Sequence, residues 1–218
     1  MRALLTLIAA LLVTTAHAAA PTPLAPDPFT DVPSKHPNGT AIEYLRVNNV
    51  VRGYGDGTFK PEARINRAEF LQIITNPFLL SDVRTQECVR ENIVNQSKET
   101  VFYSDVAKDA WFASPVCIAT VQKIVNGYPD GTFRPGNYVT FVEAAKIVAG
   151  ISGFLTTPSQ DEPWYAPYIR KLSDGHAIPT TISTLDEVIT RGEMAEMLWR
   201  MKEGITTKQS RTAEALMR

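Results

Sequence analysis

Residues 53–61 read GYGDGTFKP and residues 127–135 read GYPDGTFRP. Loops that only join elements vary freely in sequence. A loop written twice in one chain therefore marks a repeated building unit or a repeated site. Its chemistry is that of a turn. Asp56-Gly57 and Asp130-Gly131 are turn signals, and Phe59 and Phe133 are apolar anchors that can pin the loop to a core. Gly53 and Gly127 stand where a helix C-terminus accepts a left-handed residue, and Pro61 and Pro135 cannot continue a helix.

Outward from the loop, the same offset of 74 residues carries Asp31-Val32 onto Asp105-Val106, and INRAE at 65–69 onto VTFVE at 139–143. A third copy follows. WFASPVCIATVQKIV from Trp111 matches WYAPYIRKLSDGHAI from Trp164 at an offset of 53, and VTFVE matches ITRGE at 189–193 at an offset of 50. The third copy has PTTISTLDEV in place of the glycine loop and lacks a clear Asp-Val opening. The first two copies are separated by an extra stretch around 81–100 that contains Cys88.

Each unit reads as helix, loop, helix. In the first, a helix over about residues 40–52 carries Ile42, Leu45 and Val50 as its apolar positions. The second helix of each unit starts at the five-residue motif. Asn66, Thr140 and Thr190 are N-cap candidates, with Glu69, Glu143 and Glu193 at the capping-box spacing. Behind them Ile73, Ile147 and Met197 correspond, as do Ile74, Val148 and Leu198. One amphipathic helix cannot bury its own face, whereas three can bury one another's. The expected fold is mainly α, built from three helix-loop-helix repeats. The expected organisation is a repeat at 29–80, an insertion at 81–101, a repeat at 102–153, a degenerate repeat at 154–201 and a C-terminal tail at 202–218.

Residues 1–18, MRALLTLIAALLVTTAHA, have one Arg, an apolar stretch and a small-x-small end, the pattern of a secretory signal peptide. A Pro-rich linker at 19–28 follows. The apolar stretch is short for a bilayer span, and no membrane association is expected after cleavage. Without Arg2 the chain holds 21 basic and 23 acidic residues, so no basic excess argues for nucleic acid. Cys88 and Cys117 are its two cysteines. An even count in an exported chain points to a disulfide between them.

Together, the Asp-Val opening, Trp, apolar helix, GYxDGTFxP loop and Ile-Thr-Arg-Ala-Glu-like motif resemble the S-layer homology family over about residues 29–201. The resemblance implies a pseudo-threefold, three-pronged bundle with the second helices at its centre. It also implies a role: holding exported proteins on the bacterial cell wall by binding wall polysaccharide, often bearing a pyruvate ketal, in grooves between units. The family's motif arginine maps onto Arg67 and Arg191, and the glycan-side candidates extend to Trp111, Trp164, Asp31 and Asp105. Physical chemistry fits this: helix N-termini attract anions through free N–H groups, and an arginine fork matches a carboxylate. For each Trp, core packing is the competing role, and for each Arg, a surface ion pair. Three departures stand out: Phe141 where the second unit's arginine belongs, Pro37 at the position of Trp111, and the lost loop of the third unit.

Catalysis lacks a motif to carry it. His36 and His176 stand in no metal-ligand spacing, and no nucleophile elbow or zinc helix is present. The Asp-Gly loops offer too few carboxylates for calcium. No cofactor is expected. The insertion and the tail leave an envelope protein as an alternative partner to the cell-wall polysaccharide.

Overall fold

A computed structural model of the chain describes residues 28–79, 83–94, 99–156 and 159–218. The signal segment, and the linker up to residue 27, lie outside the described residues. The fold is mainly α. Its helices are α1 (Gly39–Val47), α2 (Arg67–Ile74), α3 (Val83–Val89), α4 (Ala113–Val121), α5 (Phe141–Ile151), α6 (Ala166–Asp174), α7 (Arg191–Glu203) and α8 (Ala213–Leu216). Among the described residues, β pairing is confined to isolated bridges. Wider π-type turns at Thr75–Leu79 and Arg90–Val94 follow α2 and α3.

Helices α2, α5 and α7 each start at a capping box. Asn66, Thr140 and Thr190 bond the backbone three residues on, while Glu69, Glu143 and Glu193 reach back to the cap N–H. The first helices end sooner than the apolar pattern suggests. α1 stops at Val47, and the left-handed residue after it is Asn49, with φ 56°. Lys123 and His176 hold the same place after α4 and α6, at φ 60° and 52°. The N–H of the following residue returns to a carbonyl inside the helix: Val50 to Leu45, Ile124 to Ala119, Ala177 to Leu172. This is the Schellman arrangement, with apolar residues at both ends of the bond.

Gly53 and Gly127 therefore do other work than ending a helix. A Cβ on Gly53 would lie 2.4 Å from the Phe29 ring, and one on Gly127 would lie 2.2 Å from the Tyr103 ring. Those rings stack against the buried anchors Phe59 and Phe133, at centroid distances of 5.3 and 5.5 Å. Asp31 closes the same assembly: its two oxygens accept from the N–H groups of Phe59 and Lys60. Asp105 does the same for Phe133 and Arg134. The opening motif and the glycine loop thus bind each other, and the third unit lacks both.

Three equivalent backbone positions close a ring at the centre. The Ile65 N–H donates to Ile189, Ile189 to Val139, and Val139 back to Ile65, at 3.3, 3.0 and 3.0 Å. Helix packing follows the same cycle. α4 packs on α2, α6 on α5, and α1 on α7, so each first helix lies against the second helix of the preceding unit. Ile65, Val139 and Ile189 are fully buried, and the core runs through all three units. The Cys88–Cys117 disulfide ties α3 to α4.

Candidate functional site

The first-turn N–H groups of α2 and α7 are not free. Arg67 and Ala68 donate to the carbonyls of Asn137 and Pro135; Arg191 and Gly192 donate to those of Ala63 and Pro61. Helix ends whose donors are spent on a neighbouring loop hold no anion through the backbone. The anion chemistry has to come from side chains.

Both arginines are buried, at 5% and 6% exposure, which rules out the surface ion pair. Arg67 Nε donates to the Phe133 carbonyl at 3.0 Å, and Arg191 Nε donates to the Phe59 carbonyl at 2.8 Å. Each guanidinium also lies over two rings: Arg67 over Tyr128 and Phe133, Arg191 over Tyr54 and Phe59. An arginine from one unit thus plugs the underside of the glycine loop in the next. Arg67 further pairs with Glu143 at 3.1 Å, where Glu143 also accepts from the Tyr128 hydroxyl at 2.8 Å. Arg191 has no ion pair among the described residues, and its Nη atoms carry no hydrogen bond there. Burial, reinforced by Glu143, pushes the Tyr128 hydroxyl above its ordinary value.

Each arginine borders a groove walled by an exposed tryptophan. The larger groove, about 700 Å³, gathers Arg67, residues 123–128 of the second loop, Glu143, Lys146 and Ile147 of α5, and Trp164. The second, about 280 Å³, gathers Arg191, residues 49–54 of the first loop, Glu69, Gln72 and Ile73 of α2, and Trp111. Position by position these are the same groove built twice, each from three units. Trp111 and Trp164 are 59% and 43% exposed, so core packing is not their role. Each forms a T-shaped pair with the aromatic residue that follows it, Phe112 and Tyr165 respectively.

The charge balance of both grooves is positive. Arg67, Lys123 and Lys146 face Glu143 in the Trp164 groove; Arg52 and Arg191 face Glu69 in the Trp111 groove. Lys146 Nζ lies 6.0 Å from the Trp164 ring, and burial, with the charge of Arg67 second, pushes its ammonium below the ordinary lysine value. Asp31 and Asp105 line neither groove, and their oxygens are engaged by loop N–H groups. Asp56 and Asp130 are likewise engaged, by Thr58 and Thr132. Among the described residues no group of three or more His, Cys, Asp or Glu stands together as a metal site.

The family model for the S-layer homology domain matches residues 28–71 and 102–152. These two segments are S-layer homology domains. Among curated proteins, the chain is 32% identical over 157 residues to the middle cell wall protein of Brevibacillus brevis, covering 72% of this chain and 14% of that protein. It is 31% identical over 121 residues to cell surface glycoprotein 1 of Acetivibrio thermocellus, covering 56% of this chain and 5% of that protein. It is 28% identical over 120 residues to that organism's cellulosome-anchoring protein, covering 55% and 25%.

Within this cyclic assembly the three departures fall on one groove. The cycle that joins Arg67, the second loop and Trp164 would join Phe141, the third loop and Pro37. The arginine, the glycine loop and the tryptophan are therefore missing together, and the other two grooves are complete. Sequence order hides this, because each groove draws on all three units. Lys146 also escaped the sequence reading: its counterparts are Gln72 and Glu196, so the repeat gives no signal there.

Proposed function

We propose that the chain is a non-catalytic module that attaches to the bacterial cell surface by binding an anionic wall polysaccharide in its two complete grooves. The observation that carries the reading is the doubled convergence of an exposed tryptophan face and groove-lining cations. A sugar's apolar face stacks on the indole, and a carboxylate, such as that of a pyruvate ketal, meets Lys146 in one groove and Arg191 in the other. Arg67 and Arg191 also hold the loops that shape the grooves. Asp31 and Asp105 hold those loops from the other side and are assigned no ligand contact. The named relatives, a cell wall protein and a cellulosome-anchoring protein, support a surface location.

Co-sedimentation with purified wall material tests this. Binding should drop after mild acid removal of pyruvate ketals, and in a Trp111→Ala, Trp164→Ala double variant. Both tryptophans are exposed, so the variant should keep its fold. Binding that survives both changes would overturn the reading. Absence of binding to any wall preparation would favour an envelope protein as partner.

A further inference from the structure

The third groove is not empty. Where Lys146 and Gln72 line the complete grooves, α7 carries Glu196, which is 1% exposed. The segment after α7 crosses this position. Lys208 Nζ reaches Glu196 Oε1 and donates to the Pro37 carbonyl at 2.8 Å, where Pro37 holds the place of the two tryptophans. The neighbouring residues pair with the shortened third loop. Arg211 N–H donates to the Ile178 carbonyl, and Ser210 exchanges hydrogen bonds with Ile178 through its hydroxyl. Arg200, itself 2% exposed, pairs with Glu196 from below and donates to the carbonyls of His176 and Gln209. Asn38 completes the surroundings of Glu196 at 3.5 Å.

We infer that the third groove is an ammonium-binding site, filled in cis by Lys208. A buried carboxylate is costly unless paired and hydrogen-bonded. Among the described residues Glu196 faces one cation from its own helix, Arg200, and one from the tail, Lys208. The Pro37 carbonyl adds an acceptor on the groove's far wall. A carboxylate floor and a carbonyl wall offer acceptors to an N–H donor, whereas the other two grooves present cations. The site stands on Glu196 and its contacts, and its tests need no wall ligand.

Amine acetylation of the full chain, followed by mass spectrometry, reads the site directly. Lys208 and Lys108 have similar side-chain exposure, 37% and 33%, and among the described residues Lys108 pairs only with the well-exposed Glu99. The Lys208 amine has to leave two acceptors before it can react, so it should acetylate roughly tenfold more slowly than Lys108. Equal rates would overturn the inference. In a Lys208→Ala variant, n-butylammonium should raise the melting temperature, whereas tetramethylammonium, which has no N–H donor, should not; neither should raise that of the unmodified chain. Equal effects of the two salts on the variant, or none from either, would overturn it as well.

Discussion

Arg67 Nε donates to the carbonyl oxygen of Phe133 at 3.0 Å, across 66 residues of chain and from one repeat into the next. The bond makes the motif arginine a strut of the neighbouring loop as well as a charge beside a groove. Replacing Arg67 with Ala removes the arginine from that carbonyl and from Glu143, which keeps the Tyr128 hydroxyl and the Thr140 N–H. Loss of a charge-assisted bond of this kind costs about 1.5–3 kcal/mol. For a chain of this size that is a fall of several degrees in melting temperature. Arg67→Lys should recover only part, since a single ammonium cannot serve the Phe133 carbonyl and Glu143 with the same fork. Thermal melts of the two variants check this, and a melt unchanged in Arg67→Ala would contradict the strut.

Gly127 and Gly55 make a matched pair of loop substitutions. A Cβ on Gly127 meets the Tyr103 ring at 2.2 Å and the Thr132 carbonyl at 2.7 Å, whereas one on Gly55 meets nothing within 4 Å. Gly127→Ala should cost about 1–3 kcal/mol through forced displacement of packed groups. Gly55→Ala should stay within roughly 0.5 kcal/mol of the parent. Urea unfolding of both decides it.

The Cys88–Cys117 disulfide closes a loop of 29 residues and fastens α3 to α4. The chain-entropy model gives it about 3–4 kcal/mol. Intact mass after thiol blocking without reductant should show no label, and reduction should lower the melting temperature.

The two grooves should respond differently to alkali. Burial first, and Arg67 second, hold the Lys146 ammonium below the ordinary lysine value. The free protein therefore loses this charge at a lower pH than an exposed lysine would, and anion affinity in the Trp164 groove should fall as pH rises through that lowered value. The Trp111 groove is lined by Arg52 and Arg191 in place of a lysine, and guanidinium groups are not deprotonated in proteins. Stability of the free chain moves the other way. A depressed lysine favours the neutral form in the folded state, so its contribution improves as pH rises toward the unfolded value. Binding titrations in Trp111→Ala and Trp164→Ala backgrounds separate the grooves, and equal pH profiles would contradict the role of Lys146.

Much of this site was legible in the sequence, because Arg67, Arg191, Trp111 and Trp164 recur in register with a loop whose turn chemistry is local. What the sequence could not convey is that each groove is assembled cyclically. Phe141, Pro37 and the missing third loop stand in three different units, and the cycle seen in the other two grooves assigns them to one. The C-termini of the first helices were misplaced for a related reason. Asn49, Lys123 and His176 share a left-handed conformation but no residue type, whereas Gly53 and Gly127 looked like caps and instead make room for the rings of Phe29 and Tyr103. The tail's course over α7 depends on the buried Glu196, which has no repeat partner of the same charge to flag it.

The most direct test of two complete grooves and one converted groove is stoichiometry. Isothermal titration of the full chain with a purified pyruvylated wall-glycan fragment short enough to fill a single groove should give two sites per chain. Trp111→Ala and Trp164→Ala should each leave one site, and the double variant none. Three sites in the unmodified chain, or an unchanged stoichiometry in either single variant, would contradict the account.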